Sequence, residues 1–325
     1  MSQVWQEDGG ARAVDHKDRP YEAVLRLQEL SRVERWNGAM VSASSQGSLN
    51  DAFAHCEALT RAHYENFPVG SWLIPRALRP HVCSIYAFAR TADDFADEPG
   101  LAPDERLRRL DEWEAYLGTC LDTPHGPIFT ALAETIRRHR IPVELLRHLL
   151  HAFRSDVTTP RHATFDDLLA YCRYSAVPVG RLVLHLFGYR DTQRFTYSDA
   201  ICSALQLANF WQDIAVDFSR GRIYLPQKDM ARFGVTEAHL AGGQVTEGFR
   251  DLLDQEIDRT ETIFRQGRPL LDCVGGRLKL ELRLTYLGGT EILGKIPRNG
   301  YDVFRRRPRL TGWEGLRLVV RAFLM

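Results

Sequence analysis

The chain has 325 residues, 44% hydrophobic and 26% charged, enough to bury one large core or two ordinary ones and too apolar for a fibrous or disordered class. Its 42 Lys and Arg balance 42 Asp and Glu, so no net field draws it onto nucleic acid. Gly (24) and Pro (15) are near average and no internal repeat is visible, which excludes solenoid and collagen-like architectures.

Residues 1–48 mix charges with Ser, Gly and Gln and close on a Ser-rich linker, so they read as an N-terminal extension outside the core. The first thirty contain no apolar signal core, and the expected compartment is the cytoplasm. From Asn50 onward apolar residues recur at three and four, as in Ala52, Cys56, Leu59 and His63, and again in Leu107, Leu110, Trp113 and Leu117. Breaks at Phe67-Pro68, Pro75, Pro80, Pro99-Gly100, Pro124 to Pro127, Ile141-Pro142, Thr159-Pro160, Gly188, Gly221 and Gly242-Gly243 leave segments of helical length. Period-two alternation is almost absent, so the reading is a single all-α domain over residues 49–310. Residues 311–325 form an amphipathic C-terminal segment whose apolar run is short and interrupted by Arg317 and Arg321. It is expected to touch a membrane surface, at the inner membrane, without crossing it. The six cysteines form no CxxC pair and read as reduced core thiols.

Two acidic clusters carry the chemistry. In the helical run from Tyr86 to Glu98, Asp93 and Asp97 are i and i+4, which sets two carboxylates about 6 Å apart on one face, with Asp94 beside them and Arg90 and Tyr86 one and two turns earlier. Crowded acids repel and favour cations, and oxygen ligands suit Mg²⁺ bridging carboxylate to phosphate. Asn209, Asp213 and Asp217 form a second stripe, at i, i+4 and i+8, that would line about 12 Å of another helix among Leu207, Phe210, Trp211 and Ile214. Two such helices suggest metal sites facing each other inside a bundle, and Arg222 lies close enough in sequence to take a phosphate oxygen. Competing motifs fare worse. Gly289 to Lys295 has P-loop spacing, but Ile296 stands where Ser or Thr is needed and no strand precedes it; GxGxxG, HExxH and GxSxG are absent.

These motifs resemble, in content and order, those of the squalene and phytoene synthases over residues 50 to 310. His63 to Ser71 is similar to that family's active-site entrance, Asp93 to Glu98 to its first acidic motif and Asn209 to Asp217 to its second. Tyr171 to Gly180 is similar to the segment carrying a pocket tyrosine, and Arg220 to Pro226 to the basic stretch after the second motif. The wording HYENFPVGS, YCRYSAVPVGR and NFWQDIAVD most resembles the bacterial hydroxysqualene-forming branch of the hopanoid pathway. The resemblance implies an isoprenoid synthase helical bundle with a central active-site cavity. It implies magnesium-dependent ionisation of presqualene diphosphate, rearrangement of the cation and capture by water, giving hydroxysqualene and diphosphate without NADPH. Neighbouring steps would fall to a presqualene diphosphate synthase and a hydroxysqualene reductase.

The same resemblance implies metal ligands Asp93, Asp94, Asp97, Asn209, Asp213 and Asp217, holding three Mg²⁺ with diphosphate bound. Tyr171, Arg90 and Arg222 become the catalytic groups, and His63, Phe67, Ser71, Tyr86, Arg90, Ser175, Gln206, Arg222 and Tyr224 the substrate-binding set. Alternatives stay open at several positions. His63 either contacts diphosphate or caps the first helix; Tyr171 and Ser175 either present hydroxyls together or are a satisfied buried pair. Phe67, Phe88, Phe210 and Trp211 line a cation pocket or are plain core. Asp94 and Glu98 ligate metal or orient waters. Arg305, Arg306 and Arg307 close over diphosphate or form a solvated turn. Two other functions stand beside the main one: a head-to-head synthase making squalene, dehydrosqualene or phytoene from prenyl diphosphates, and a non-catalytic helical scaffold, whose expected signature is eroded aspartates.

Overall fold

The computed structural model describes residues 48–63, 73–98, 100–159 and 161–325, so residues 1–47 of the N-terminal extension and the Phe67 and Ser71 positions lie outside the described residues. Among the described residues the protein is all-α, with a single β-bridge between Arg161 and Ile223. In chain order the helices are α1 (Leu49–His63), α2 (Arg79–Asp97), α3 (Pro103–Thr119), α4 (Gly126–His139), α5 (Val143–Thr158), α6 (Phe165–Ser175), α7 (Val177–Leu186), α8 (Thr192–Gln212), α9 (Ile214–Ser219), α10 (Gln227–Arg232), α11 (Glu237–Ala241), α12 (Glu247–Gly267), α13 (Leu270–Cys273), α14 (Gly276–Arg298) and α15 (Gly312–Leu324).

The helix ends follow local chemistry. Thr164 caps α6 in a capping box with Asp167, Asp191 accepts the Arg194 amide at the start of α8 (3.0 Å), and Thr246 accepts that of Phe249 at the start of α12 (3.1 Å). Among the described residues, most expected breaks fall between helices, with a positive-φ Gly just past the helix end at Gly100, Gly188 and Gly221. Pro80 is a correction: it occupies the first turn of α2, where its missing amide costs no intrahelical bond, so it starts a helix instead of breaking one. Pro178 plays the same part in α7, and the chain turns at Ala176 between α6 and α7.

Two apolar clusters build most of the interior. One joins α1 to α5 around Phe88, Trp113, Phe129, Leu132, Leu146 and Leu150; the other joins α6 and α8 to α12 around Leu168, Leu207, Trp211, Phe249 and Leu253. α8 is the central element, packed on α7, α12 and α14. Close approach depends on glycines: a Cβ on Gly180 would strike Ser198 and Cys202 of α8, and one on Gly289 would meet Leu205 Cδ2 at 2.5 Å and Phe264 Cζ at 2.8 Å. The stretch with P-loop spacing is thus a helix-packing surface inside α14. The cysteines are free, with Cys56, Cys120 and Cys172 buried. No helix among the described residues is long and apolar enough to cross a membrane.

His81 is buried in the first cluster, with Nδ1 2.9 Å from Thr135 Oγ1 and its ring against His139. Burial, aided by His139 and Arg138, lowers its pKa to about 4. The folded state therefore resists a proton that the unfolded chain accepts near pH 6.5, so this contribution is complete above pH 6.5 and lost as pH falls toward 4. Urea titrations at pH 7 and pH 5 should show wild type losing on the order of 1–3 kcal/mol more than His81→Gln across that interval. Equal losses in the two proteins would show that His81 does not hold this position uncharged.

Candidate active site

The acids gather where the two apolar clusters meet. α2 brings Tyr86, Arg90, Asp93, Asp94 and Asp97 from one side; α8, α9 and the segment after them bring Gln206, Asn209, Asp213, Asp217, Arg222 and Tyr224 from the other, and α6 brings Tyr171 and Ser175. The seam is stapled by ion pairs far apart in sequence. Arg222 Nη2 lies 2.5 Å from Asp97 Oδ1, and Arg307 grips Asp213 with two guanidinium nitrogens, Nη2 at 2.9 Å from Oδ2. Within α2, Arg90 Nη2 is 2.5 Å from Asp94 Oδ1 and Nη1 is 4.0 Å from Asp93 Oδ2.

Asp213 marks a bend. α8 ends at Gln212 and α9 starts at Ile214, with Asp213 at φ −107° and ψ 13°, so Asn209, Asp213 and Asp217 do not share one straight helix as their spacing predicts. The hydrogen bonds Asp213 N to Asn209 O (2.8 Å) and Asp217 N to Asp213 O (2.9 Å) continue through the bend and keep the three residues in one file.

Sequence reasoning missed Asp156, on α5. Its Oδ1 accepts the Tyr171 hydroxyl at 2.7 Å and lies 3.5 Å from that of Tyr224. Phe210 stacks on Tyr224 with ring centroids 3.8 Å apart, closing one wall with an aromatic face. A signal was present: Leu145, Leu149 and Ala152 are buried at spacings of four and three, and Asp156 is the next residue on that stripe.

Electrostatics at the seam are strained by desolvation. Burial raises Asp93 well above the usual carboxylate range, with Asp97, Asp94 and Asp156 adding repulsion against the opposing pull of Arg90. Burial and Asp213 push Asp217 up to about 8, and burial pushes Asp156 up to about 6 against Arg222 and the Tyr171 hydrogen bond. Tyr86 is pushed up to about 12, chiefly by burial. Burial works against the charge on Arg222, but Tyr224, Asp97 and Asp156 around it hold it protonated.

The residues fit a hard cation. Asp93 Oδ2 is buried without a hydrogen-bond partner, and oxygen donors from both sides of the seam face a surplus of negative charge that a divalent ion would relieve. Among the described residues no three acidic, imidazole or thiol groups converge on one point. Arginine holds Asp94, Asp97 and Asp213 instead.

Other expectations divide. Ser175 donates to the Tyr171 carbonyl at 3.2 Å while the Tyr171 hydroxyl turns to Asp156, so the two hydroxyls do not act together. Trp211 is fully buried with Nε1 on Thr260 Oγ1 (2.9 Å), and Phe88 is fully buried beside Trp113 and Phe129; both are core. Arg305 and Arg306 are exposed, whereas Arg307 is taken into the site. Glu98 pairs with Arg109 (2.6 Å). Gln206 and Asn209 are partly buried on α8, and His63 ends α1.

Replacing Asp156 by Asn should separate charge from shape. Because its folded pKa is raised, wild type should lose stability relative to Asp156→Asn as pH rises from 4 to 7 in metal-free buffer, by about 1–3 kcal/mol. A constant difference across that range would show that Asp156 carries no shifted proton.

Comparison with known proteins places this seam in context. The squalene/phytoene synthase family profile matches residues 60–314. The hydroxysqualene synthase of Sinorhizobium fredii is 33% identical over 252 residues, covering 77% of this chain and 85% of its own. The 15-cis-phytoene synthase of Synechococcus elongatus is 29% identical over 282 residues, covering 83% and 91%. Among solved structures, squalene synthase HpnC from Alicyclobacillus acidocaldarius has a TM-score of 0.74 at 44% identity, covering 78% of this chain and 95% of its own.

Proposed function

Since the chain belongs to the squalene/phytoene synthase family, we propose that it converts presqualene diphosphate to hydroxysqualene with release of diphosphate, dependent on Mg²⁺ and without NADPH. The observation that carries the reading is the seam itself: Asp97 with Arg222 and Asp213 with Arg307, beside the Asp156, Tyr171, Tyr224 and Phe210 assembly. The finer choice of product is supported by the 33% identity to the Sinorhizobium hydroxysqualene synthase and by the motif wording.

In this reading the substrate's carbon–oxygen bond breaks and diphosphate leaves with the electron pair. The cyclopropylcarbinyl cation rearranges, and a water oxygen bonds to carbon and sheds one proton. Asp93, Asp94, Asp97, Asn209, Asp213 and Asp217 are the residues that would hold Mg²⁺, which would supply neutralisation of the departing charge. Arg222, Arg307 and Arg90 already sit on carboxylates of that set, so a ligand that engages the acids frees guanidinium donors for diphosphate oxygens at the same place. Tyr171 and Tyr224, oriented through Asp156, offer hydroxyl oxygens and ring faces to the cationic carbon skeleton, with Phe210 excluding water on the side it covers. The substrate would come from a reaction that condenses two prenyl diphosphates, and the secondary allylic alcohol would pass to a reductase.

A second reading has its own support. The 44% identical solved structure is a squalene synthase, and phytoene synthases match over most of the chain, so a two-step head-to-head synthase acting on farnesyl diphosphate is the alternative. Product analysis by mass spectrometry separates the two. The purified full chain with Mg²⁺ and no NADPH should form hydroxysqualene from presqualene diphosphate and nothing from farnesyl diphosphate. Presqualene diphosphate or a thirty-carbon hydrocarbon formed from farnesyl diphosphate would instead establish the condensing synthase.

A further inference from the structure

The C-terminal helix α15 has two apolar faces, and only one packs on the protein. Leu318 and Ala322 are buried against Leu280, Leu284, Leu287 and Leu310. Lys295 Nζ holds Glu314 at 2.6 Å and fixes the helix to α14. On the opposite side Trp313, Leu316, Val320, Phe323 and Leu324 are 82%, 55%, 52%, 68% and 82% exposed. At helical spacing these five side chains project within an arc of about 100°. Elsewhere among the described residues, exposed large apolar side chains are scattered singly, at Leu49, Val179 and Val216. A contiguous apolar stripe of this kind marks an interaction surface.

Its charge says what it meets. Arg317 and Arg321 are exposed and follow the stripe along one edge. The helix has one acid, Glu314, and that carboxylate is engaged by Lys295 and by the Thr311 cap. Arg317 lies 3.2 Å from Glu291, on α14, which leaves its side chain more than half exposed. The free half of α15 is therefore apolar with a cationic border. A second copy docked by two-fold symmetry would bring the arginines of both copies to one interface, where they repel. An anionic phospholipid surface satisfies both features at once: acyl chains take the apolar arc, and headgroups take the guanidinium groups and the indole edge of Trp313. At 13 residues α15 is too short to span a bilayer.

We propose that α15 is a peripheral membrane-docking helix, lying in the plane of an anionic phospholipid surface with Trp313, Leu316, Val320, Phe323 and Leu324 inserted and Arg317 and Arg321 at headgroup level. The inference stands on this helix alone and not on the reaction assigned above.

The test is co-sedimentation of the full chain, without substrate, with vesicles of equal parts phosphatidylglycerol and phosphatidylcholine, and with vesicles of phosphatidylcholine alone. Wild type should sediment with the anionic vesicles, and more weakly with the neutral ones. Trp313→Ser combined with Phe323→Ser should lower partitioning by about tenfold or more, since each side chain loses its burial in lipid. Arg317→Gln combined with Arg321→Gln should abolish the preference for anionic vesicles. Unchanged thermal melting would exclude misfolding of these surface variants. Wild type left in the supernatant, or apolar variants that bind like wild type, would overturn the proposal. So would a dimer in analytical ultracentrifugation that the apolar substitutions convert to monomer, since it would make a second copy the occupant.

Discussion

Carboxylates held where water cannot fully solvate them are the constraint on which the rest of this protein depends. Asp93, Asp97, Asp156 and Asp217 crowd one seam, each felt by at least one of the others, and burial is the first cause of the raised pKa at Asp93, Asp156 and Asp217. Such a cluster is costly unless opposite charge is brought to it. The fold supplies that charge from a distance: Arg222 reaches Asp97 across 125 residues and Arg307 reaches Asp213 across 94. Each staple joins segments that propensity alone would leave independent.

The two apolar clusters explain why the seam between them can be polar. Each is built from its own helices and carries its own aromatic centre, Phe88, Trp113 and Phe129 in one and Trp211, Phe249 and Phe264 in the other. The acids therefore need not contribute packing, and their ion pairs can rearrange while the clusters stay intact. Trp211 shows the division of labour. It sits next to Phe210, yet its indole bonds Thr260 inside the core, whereas Phe210 turns to Tyr224 at the seam.

Much of this was legible in the sequence, and the parts that were not have physical reasons. Helical periodicity and Pro-Gly punctuation are local, so the all-α class, the run from Tyr86 to Asp97 and the i, i+4 acids could be read directly. Pro80 was misread because a proline in the first turn has the same identity as one that ends a helix. The bend at Asp213 was invisible because its geometry accompanies a partner, Arg307, nearly a hundred residues away. Asp156 was missed because a lone acid forms no motif; its place on the apolar stripe after Ala152 was the available clue. The role of Arg307, but not of Arg305 or Arg306, depends on which side of a turn faces the seam, and only tertiary structure decides that.

The most direct test of this account is the melting temperature of the full chain in chelator, in Mg²⁺ with inorganic diphosphate, and in sodium chloride of matched ionic strength. If the seam is a charge-strained site completed by cation and diphosphate, Mg²⁺ with diphosphate should raise the melting temperature by several degrees over salt, by the linkage of binding to folding, with ligand well above its dissociation constant. Asp213→Asn should show little of that rise. Equal melting temperatures in Mg²⁺ with diphosphate and in matched salt would contradict the account, because the acids would then be balanced by arginine alone.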